Sequence, residues 1–524
     1  MTGEAAVGIN DIRNNGNKEG VATRSVTQWL DAPRSASWSW SAWILSTAVF
    51  VSLTILLGGP SQADSSQAID PALLIAHGDW ACAYPPASFA HSATASPLAF
   101  ASPLYSLVSA AIERILSFST RTPFPQVGQL GVHCSRAMSQ VADWAQSTGN
   151  LSLMLLAGFV VWPVLAGGLV AMLRSSDQGR NGWEAATLMA SSSSLPVVAC
   201  LEAYFHPEDI MAMGLILLAM ASVVRGRWRW AGVVIGLGVL TQLFAILATL
   251  ALAVVVPREH RRAFAEGFAG VIALVVAPLT VATSGRVLHT VFFGTSRAGE
   301  AHVVSAGGTV VSSLGLHGVA LFLLSRIAPM ALALALAWRT RRQWGEQILE
   351  PVRLVSLVTT CVAMRLVFEV NVFGYYFMAG VVSLLVLDAL RRRFRGETFA
   401  LIWLITLAYS PIAWGFVWRG YPVGPQLRAV LPLIASLPVV VSIVLGVLRH
   451  RVRWYLVVWQ MVVIVAFVRF PLPVDRYDGV VPSWCWQILL VTSLIYYLST
   501  PLRGAEHLAS SRKLPLDSSP LATM

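Results

Sequence analysis

The chain has 524 residues, of which 56% are hydrophobic and only 12% charged, and its formal net charge is +11. Soluble domains carry about 25% charged residues, so this composition excludes a water-soluble enzyme of ordinary build. The positive charge sits in short arginine clusters between apolar runs, a pattern that reads as membrane topology and excludes a nucleic-acid partner.

Apolar runs of about 18 to 23 residues recur along the chain, each long enough to cross a bilayer. The expected fold is all-α: a polytopic integral membrane protein with about 12 transmembrane helices plus a re-entrant pair, in contact with membrane lipids. Residues 1–40 are polar and aperiodic and read as a disordered cytoplasmic N-terminus. Residues 41–500 form the membrane domain, and 501–524 a cytoplasmic tail. The arginine clusters at 174–180, 225–229, 258–262, 339–342, 391–395, 449–453 and 503–513 are all expected on the cytoplasmic side of a bacterial plasma membrane.

From an inside N-terminus, 41–58 runs outward, residues 60–150 make a large first extracytoplasmic loop, and 151–173 returns. The run 183–205 goes out and 210–224 comes back, joined by a tight outer turn, His206-Pro207-Glu208-Asp209. The stretch 230–256 lies between two arginine clusters expected on the same side, yet about 27 residues cannot make two full crossings at 1.5 Å each. It reads as a re-entrant or short paired-helix unit broken near Thr241-Gln242. Further crossings are expected at 263–283, 318–338, 352–368, 375–390, 398–417, 429–448, 454–468 and 484–498, which leaves both termini cytoplasmic.

Ser61-Gln62-Ala63 has the small-x-small form of a cleavage site, but the polar stretch before residue 41 is too long for a usual signal-peptide n-region, so an uncleaved span is expected. Of the five cysteines, Cys200, Cys361 and Cys485 lie in or beside spans as small apolar residues. Cys82 and Cys134 fall in the first external loop, where an oxidising compartment permits a disulfide; bridged and free are both open. No zinc-type Cys/His spacing, Walker loop or Gly-rich dinucleotide fingerprint is present. No metal-ligand set is assigned, no cofactor is certain, and dependence on a divalent metal is open.

Ionisable groups at or within a bilayer are costly, and each is a functional hypothesis by default. Three outward constellations stand out. The first runs from Asp70-Pro71 to His77-Gly78-Asp79-Trp80, soon after the first span; Asp70 before Pro71 is also a good helix N-cap, and Asp79 could equally be a solvated loop acid. The second is the His206-Pro207-Glu208-Asp209 turn, whose acids could simply cap the next helix, although two acids and a histidine exceed what capping needs. The third is Arg365 to Tyr376: Arg365 and Glu369 form an i,i+4 pair, read either as a plain intramembrane ion pair or as a phosphate-binding arginine held by its glutamate, followed by Tyr375 and Tyr376. Arg286, His289, His302, His317, Arg419, Tyr421 and Arg428 are minor candidates, each more simply ordinary loop chemistry. An outward acid with arginines and histidines nearby suits transfer from a lipid-phosphate donor, the carboxylate taking the proton of an acceptor hydroxyl and the cations stabilising the leaving phosphate.

The run Asp70, the helix to Ala76, Gly78, Tyr84-Pro85-Pro86 and Ser102-Pro103-Leu104-Tyr105 resembles the first-loop layout of the membrane glycosyltransferases of the GT-C superfamily. It is most similar to the bacterial polyprenol-phosphate-mannose-dependent mannosyltransferases. The stretch His206-Pro207-Glu208-Asp209, Arg225-Gly226-Arg227, Ala231-Gly232-Val233-Val234-Ile235-Gly236-Leu237 is similar as well, but Thr241-Gln242 and Ala245 stand where that family usually has a Lys and a Pro. The likeness covers about the first 260 residues; beyond them only hydropathy and span count agree. The resemblance implies an inverting transfer of mannose or a similar sugar from a polyprenyl-phosphate donor to a lipid-linked or cell-envelope glycan acceptor on the outer side. Asp70 would be the catalytic base, with Asp79 second, and His206, Glu208, Asp209, Arg365, Glu369, Tyr375 and Tyr376 would be substrate-binding. The alternative is a multi-pass transporter or lipid flippase without glycosyl transfer.

The topology can be checked by labelling single cysteines from outside the cell. With Cys82 and Cys134 replaced, Glu300→Cys is expected to react and Arg342→Cys to stay protected; the reverse pattern would mean that 230–256 is one full span.

Overall fold

A bilayer offers no water to backbone amides, so a spanning segment satisfies them internally, and apolar runs of this length fold as helices. The computed structural model of the chain describes residues 36–57, 71–72, 74–76, 78, 80–84, 103–120, 159–176, 181–202, 205–288, 314, 320, 323–369, 374–393, 395–409 and 490–502. The expected spans at 429–448 and 454–468, most of the first loop with Asp70, Asp79 and Cys134, both terminal segments, and the minor candidates His289, His302, His317, Arg419, Tyr421 and Arg428 lie outside the described residues.

Among the described residues every regular element is helical. The principal helices are α1 (Ala36–Leu57), α2 (Pro103–Thr120), α3 (Val161–Leu173), α4 (Asn181–Ser192), α5 (Leu195–Glu202), α6 (Pro207–Val224), α7 (Trp228–Thr241), α8 (Ala245–Val255), α9 (Arg261–Ala282), α10 (Ala328–Trp344), α11 (Pro351–Ala363), α12 (Met378–Leu390), α13 (Gly396–Tyr409) and α14 (Leu490–Leu502). Three stretches, Pro207–Val224, Arg258–Ala282 and Pro351–Phe368, are long and apolar enough to cross a membrane, and the α4–α5 pair makes a fourth if taken as one bent span. Large apolar side chains point outward from α1, α9 and α10, with Trp40 67%, Leu274 74% and Val281 82% exposed, as a lipid-facing belt requires.

Two helix crossings are built on glycine. A Cβ on Gly232 of α7 would overlap the Phe264 carbonyl oxygen of α9, and one on Gly267 of α9 would overlap the Arg229 carbonyl. Gly232 and Gly236 are four residues apart on α7, the small-residue spacing that lets membrane helices approach backbone to backbone. Gly214 of α6 meets α3 in the same way: a Cβ there would lie 2.6 Å from the Val164 oxygen.

These contacts fix the direction of each helix. Arg229 and Gly232, early in α7, meet Phe264 and Gly267, early in α9, so both helices start at one end of the bundle. α7 then runs away from that end and α8 returns to it, with the break at Gln242-Leu243-Phe244. The expected paired-helix unit broken near Thr241-Gln242 is thus two short helices meeting at that break. At the returning end, Arg261 donates to the Val254 and Val256 carbonyls (3.2 and 3.3 Å), and Arg341 of α10 reaches Val256 at 2.6 Å, so two cations cap the α8 C-terminus. Arg225 donates to Ala171 O, and Arg174 forms a two-pronged bond to buried Glu184 (3.0 and 2.9 Å). Arg395, after α12, bonds Asp388 at 2.6 Å and lies over Tyr497 of α14. The clusters around 174, 225–229, 258–262 and 339–342 therefore gather at the same end, and α12, which starts beside His206 at the other end, runs toward it to 391–395.

Within the run 183–205, α4 and α5 are bent by 53° at Ser193-Ser194, so this stretch is two helices rather than one. Ser192 and Ser193 hydroxyls donate to carbonyls one turn back, and Pro196, inside the next turn, brings no N–H; both weaken a continuous ladder here.

Gly267→Ala is expected to lower the thermal unfolding midpoint of detergent-purified protein, corresponding to a loss of about 1–3 kcal/mol from overpacking. Gly270→Ala on the same helix, where an added Cβ meets nothing within 4 Å, is expected to be neutral or stabilising. Equal behaviour of the two variants would contradict the close crossing.

Candidate functional site

At the end of the bundle opposite the arginine clusters, four chain segments bring polar groups together. They are the α5–α6 turn, the α7–α8 break, the turn after α11, and the short 3-10 helix Gly374–Phe377 that leads into α12.

The α5–α6 turn is sharp, and Phe205, fully buried, takes a positive φ of 46°. A bulky residue adopts that conformation only where the surroundings hold it, at a cost of roughly 1–3 kcal/mol. The next residues carry the acids. His206 N-caps α6 without a side-chain capping bond, Pro207 opens the helix, and Glu208 and Asp209 stand in its first turn, 5% and 2% exposed. If capping were the role of these acids, their oxygens would face the helix amides. Instead Glu208 Oε1 pairs with His206 Nδ1 at 2.7 Å, and Asp209 Oδ1 accepts from Gln242 Nε2 at 2.7 Å. Gln242 also holds its own break, accepting from the Leu243 amide at 3.0 Å.

Arg365 follows α11 in a one-turn helix, Arg365–Phe368. Its Nε lies 3.0 Å from Glu369 Oε2, and its guanidinium packs over the rings of Tyr376 (3.9 Å) and Phe244 (5.1 Å). The planar, weakly hydrated guanidinium suits such a slot between rings; a lysine would lose the stacking. Arg326 joins from a π-helical turn, Leu323–Ile327, with Nη1 3.6 Å from the same Glu369 oxygen. Tyr375 stacks on the His206 ring (4.3 Å between centroids, 17° between planes) and meets Tyr376 edge to face at 4.6 Å. Asp209, Phe244, Arg365, Tyr375 and Tyr376 line one small cavity of about 10 Å³, space for about one water.

The structure therefore brings together His206, Glu208, Asp209, Arg365, Glu369, Tyr375 and Tyr376, residues far apart in sequence. Asp70 and Asp79 lie outside the described residues. Two further members were not singled out from the sequence. Gln242 stood out only as a departure from a lysine, and its bond to Asp209 is a contact that spacing cannot reveal. Arg326 sits inside the apolar run 318–338, where a lone arginine is itself a signal. Cys200 and Cys361 are buried free thiols, as expected of small apolar residues. Among the described residues no three His, Cys, Asp or Glu side chains are grouped so as to hold a metal ion.

Gln242→Leu would leave the Asp209 oxygen buried without its donor, and a loss of about 1–3 kcal/mol is expected, read as a lower unfolding midpoint. Adding Asp209→Leu should recover part of that loss; a double variant as destabilised as the sum of the singles would show that the two residues are not coupled. A comparison of the chain with protein-family models and with curated proteins finds no match.

Proposed function

We propose that the chain is a membrane glycosyltransferase of about 12 crossings with both termini cytoplasmic. In this reading it moves mannose or a similar sugar from a polyprenyl-phosphate donor to a lipid-linked or cell-envelope glycan on the outer side of a bacterial plasma membrane, with inversion. The observation that carries the reading is the cluster of acids, arginines and tyrosines at the end of the bundle opposite the arginine clusters. If the arginine-rich end is cytoplasmic, the cluster faces outward.

The chemistry needs a base for the acceptor hydroxyl and cations for the departing phosphate. Asp70 is the proposed base, with Asp79 second, taking the proton as the acceptor oxygen attacks the sugar C1. Arg365 and Arg326 are placed to favour the negative charge that grows on the phosphate as the C1–O bond breaks. Tyr376 would hold the Arg365 guanidinium in plane, and Tyr375 the His206 ring. The cluster is drawn from helix ends: the start of α6, the end of α7, and the turns between α11 and α12. A transporter would carry such groups near the bilayer midplane, so their place at the helix ends favours the enzyme.

Asp70→Asn is expected to abolish label incorporation from tritiated polyprenyl-phosphate mannose into the glycan fraction of vesicles holding wild-type amounts of the protein. Full activity in that variant would remove Asp70 as the base, and full activity in Asp79→Asn as well would overturn the first-loop mechanism.

A further inference from the structure

We infer that His206, held by Glu208, is the proton donor to the departing phosphate, an inference that rests on the transferase reading. Glu208 is its positioning residue. In this assignment Glu208 is the acceptor and His206 Nδ1–H the donor across their 2.7 Å contact. The ring's other nitrogen, Nε2, is then the atom that takes up and gives up a proton.

Three observations support the assignment. Glu208 is 5% exposed, and its second oxygen, Oε2, is buried with no hydrogen-bond partner among the described residues, so the His206 ring is the group its carboxyl engages there. The His206 ring lies nearly parallel to Tyr375, which fixes its plane, while the side chain keeps 17% exposure through which solvent can reprotonate it. Tyr375 meets Tyr376, and Tyr376 carries the Arg365 guanidinium, so the imidazole and the guanidinium sit on adjoining rings of one aromatic pair. A donor phosphate reaching the rim of this pair would meet a proton donor and a fixed charge together.

The step balances as follows. The acceptor oxygen forms its bond to the sugar C1 and passes its proton to the carboxylate base. The bond from C1 to the donor phosphate oxygen breaks, and its electron pair stays on that oxygen. The leaving polyprenyl phosphate monoester has a second pKa of about 6. The imidazolium gives its Nε2 proton to the phosphate and ends neutral, its Nδ1–H still on Glu208. Among the described residues, the titratable and charged groups around His206 include Glu208 and Asp209 on its own turn, Cys200 of α5, whose carbonyl accepts from the His206 amide, Tyr375 and Tyr376 of the 3-10 helix, and Arg365 behind Tyr376.

The test is the pH dependence of kcat for transfer from tritiated polyprenyl-phosphate mannose by full-length protein in vesicles, across about pH 5 to 9. A proton donor is competent below its pKa, so the wild-type kcat should fall along a limb as pH rises. His206→Gln is expected to lower kcat by about 100-fold or more and to erase that limb, with the donor KM unchanged. Glu208→Gln, which keeps the shape but loses the carboxylate charge, should move the limb to lower pH, and Glu208→Asp should move it back. Wild-type kcat and an unmoved limb in either His206→Gln or Glu208→Gln would overturn the inference while leaving the transferase reading in place. No transfer by the wild-type chain would bring down the reading and the inference together.

Discussion

A guanidinium cannot remain in an apolar bundle unless its charge and its flat faces are matched, and Arg365 sets that requirement for this protein. The half-buried Arg365 guanidinium needs a counter-charge close by, and Glu369 supplies it one helical turn away. Its faces oblige Tyr376 and Phe244 to close around it. Phe244 belongs to the break between α7 and α8, and Tyr376 to the entry of α12. One side chain thus ties the α7–α8 break to the α11–α12 connection, and Tyr375 extends the tie to the α5–α6 turn through His206.

The opposite end obeys a different rule. There the arginines are spread over five connections and take backbone carbonyls or single acids as partners: Arg261 and Arg341 on the end of α8, Arg225 on α3, Arg174 on Glu184 and Arg395 on Asp388. The helices approach through glycine, at Gly214 against α3 and, toward the arginine-rich end, at Gly232 and Gly267 between α7 and α9. This close backbone packing fixes the helices against one another, so that Gln242, fourteen residues beyond the start of α7, arrives level with Asp209 near the start of α6. The polar end differs in that four chain segments pool their acids, arginines, a histidine and tyrosines around one small cavity, where the arginine-rich end holds separate pairs.

Much of this was legible in the chain. Apolar runs marked the helices, and arginine clusters marked a common end, because both follow from transfer free energies that depend only on residue type. The His206 turn and the Arg365–Glu369 pair stood out for the same reason: ionisable groups are scarce here, so each one is conspicuous. What remained hidden depends on contacts. The Gln242 bond to Asp209 spans 33 residues, and nothing at position 242 announces it. Arg326, a lone arginine in an apolar run, was a signal of its own, but its sharing of Glu369 follows from how α10 begins and depends on a contact. The bend at Ser193-Ser194 was obscured because hydropathy is insensitive to a broken hydrogen-bond ladder. The packing of His206 on Tyr375 could not be read at all, since stacking is a property of two surfaces and not of either sequence.

The central claim is that one outward site joins the His206 turn, Arg365 and the first-loop aspartate. An electron cryomicroscopy map of the full chain with polyprenyl-phosphate mannose tests it most directly. The account predicts the donor phosphate within hydrogen-bond reach of His206 and Arg365, with the Asp70 carboxylate facing the sugar C1. A donor bound at the arginine-rich end, or Asp70 more than roughly 30 Å from His206, the thickness of a bilayer core, would contradict it.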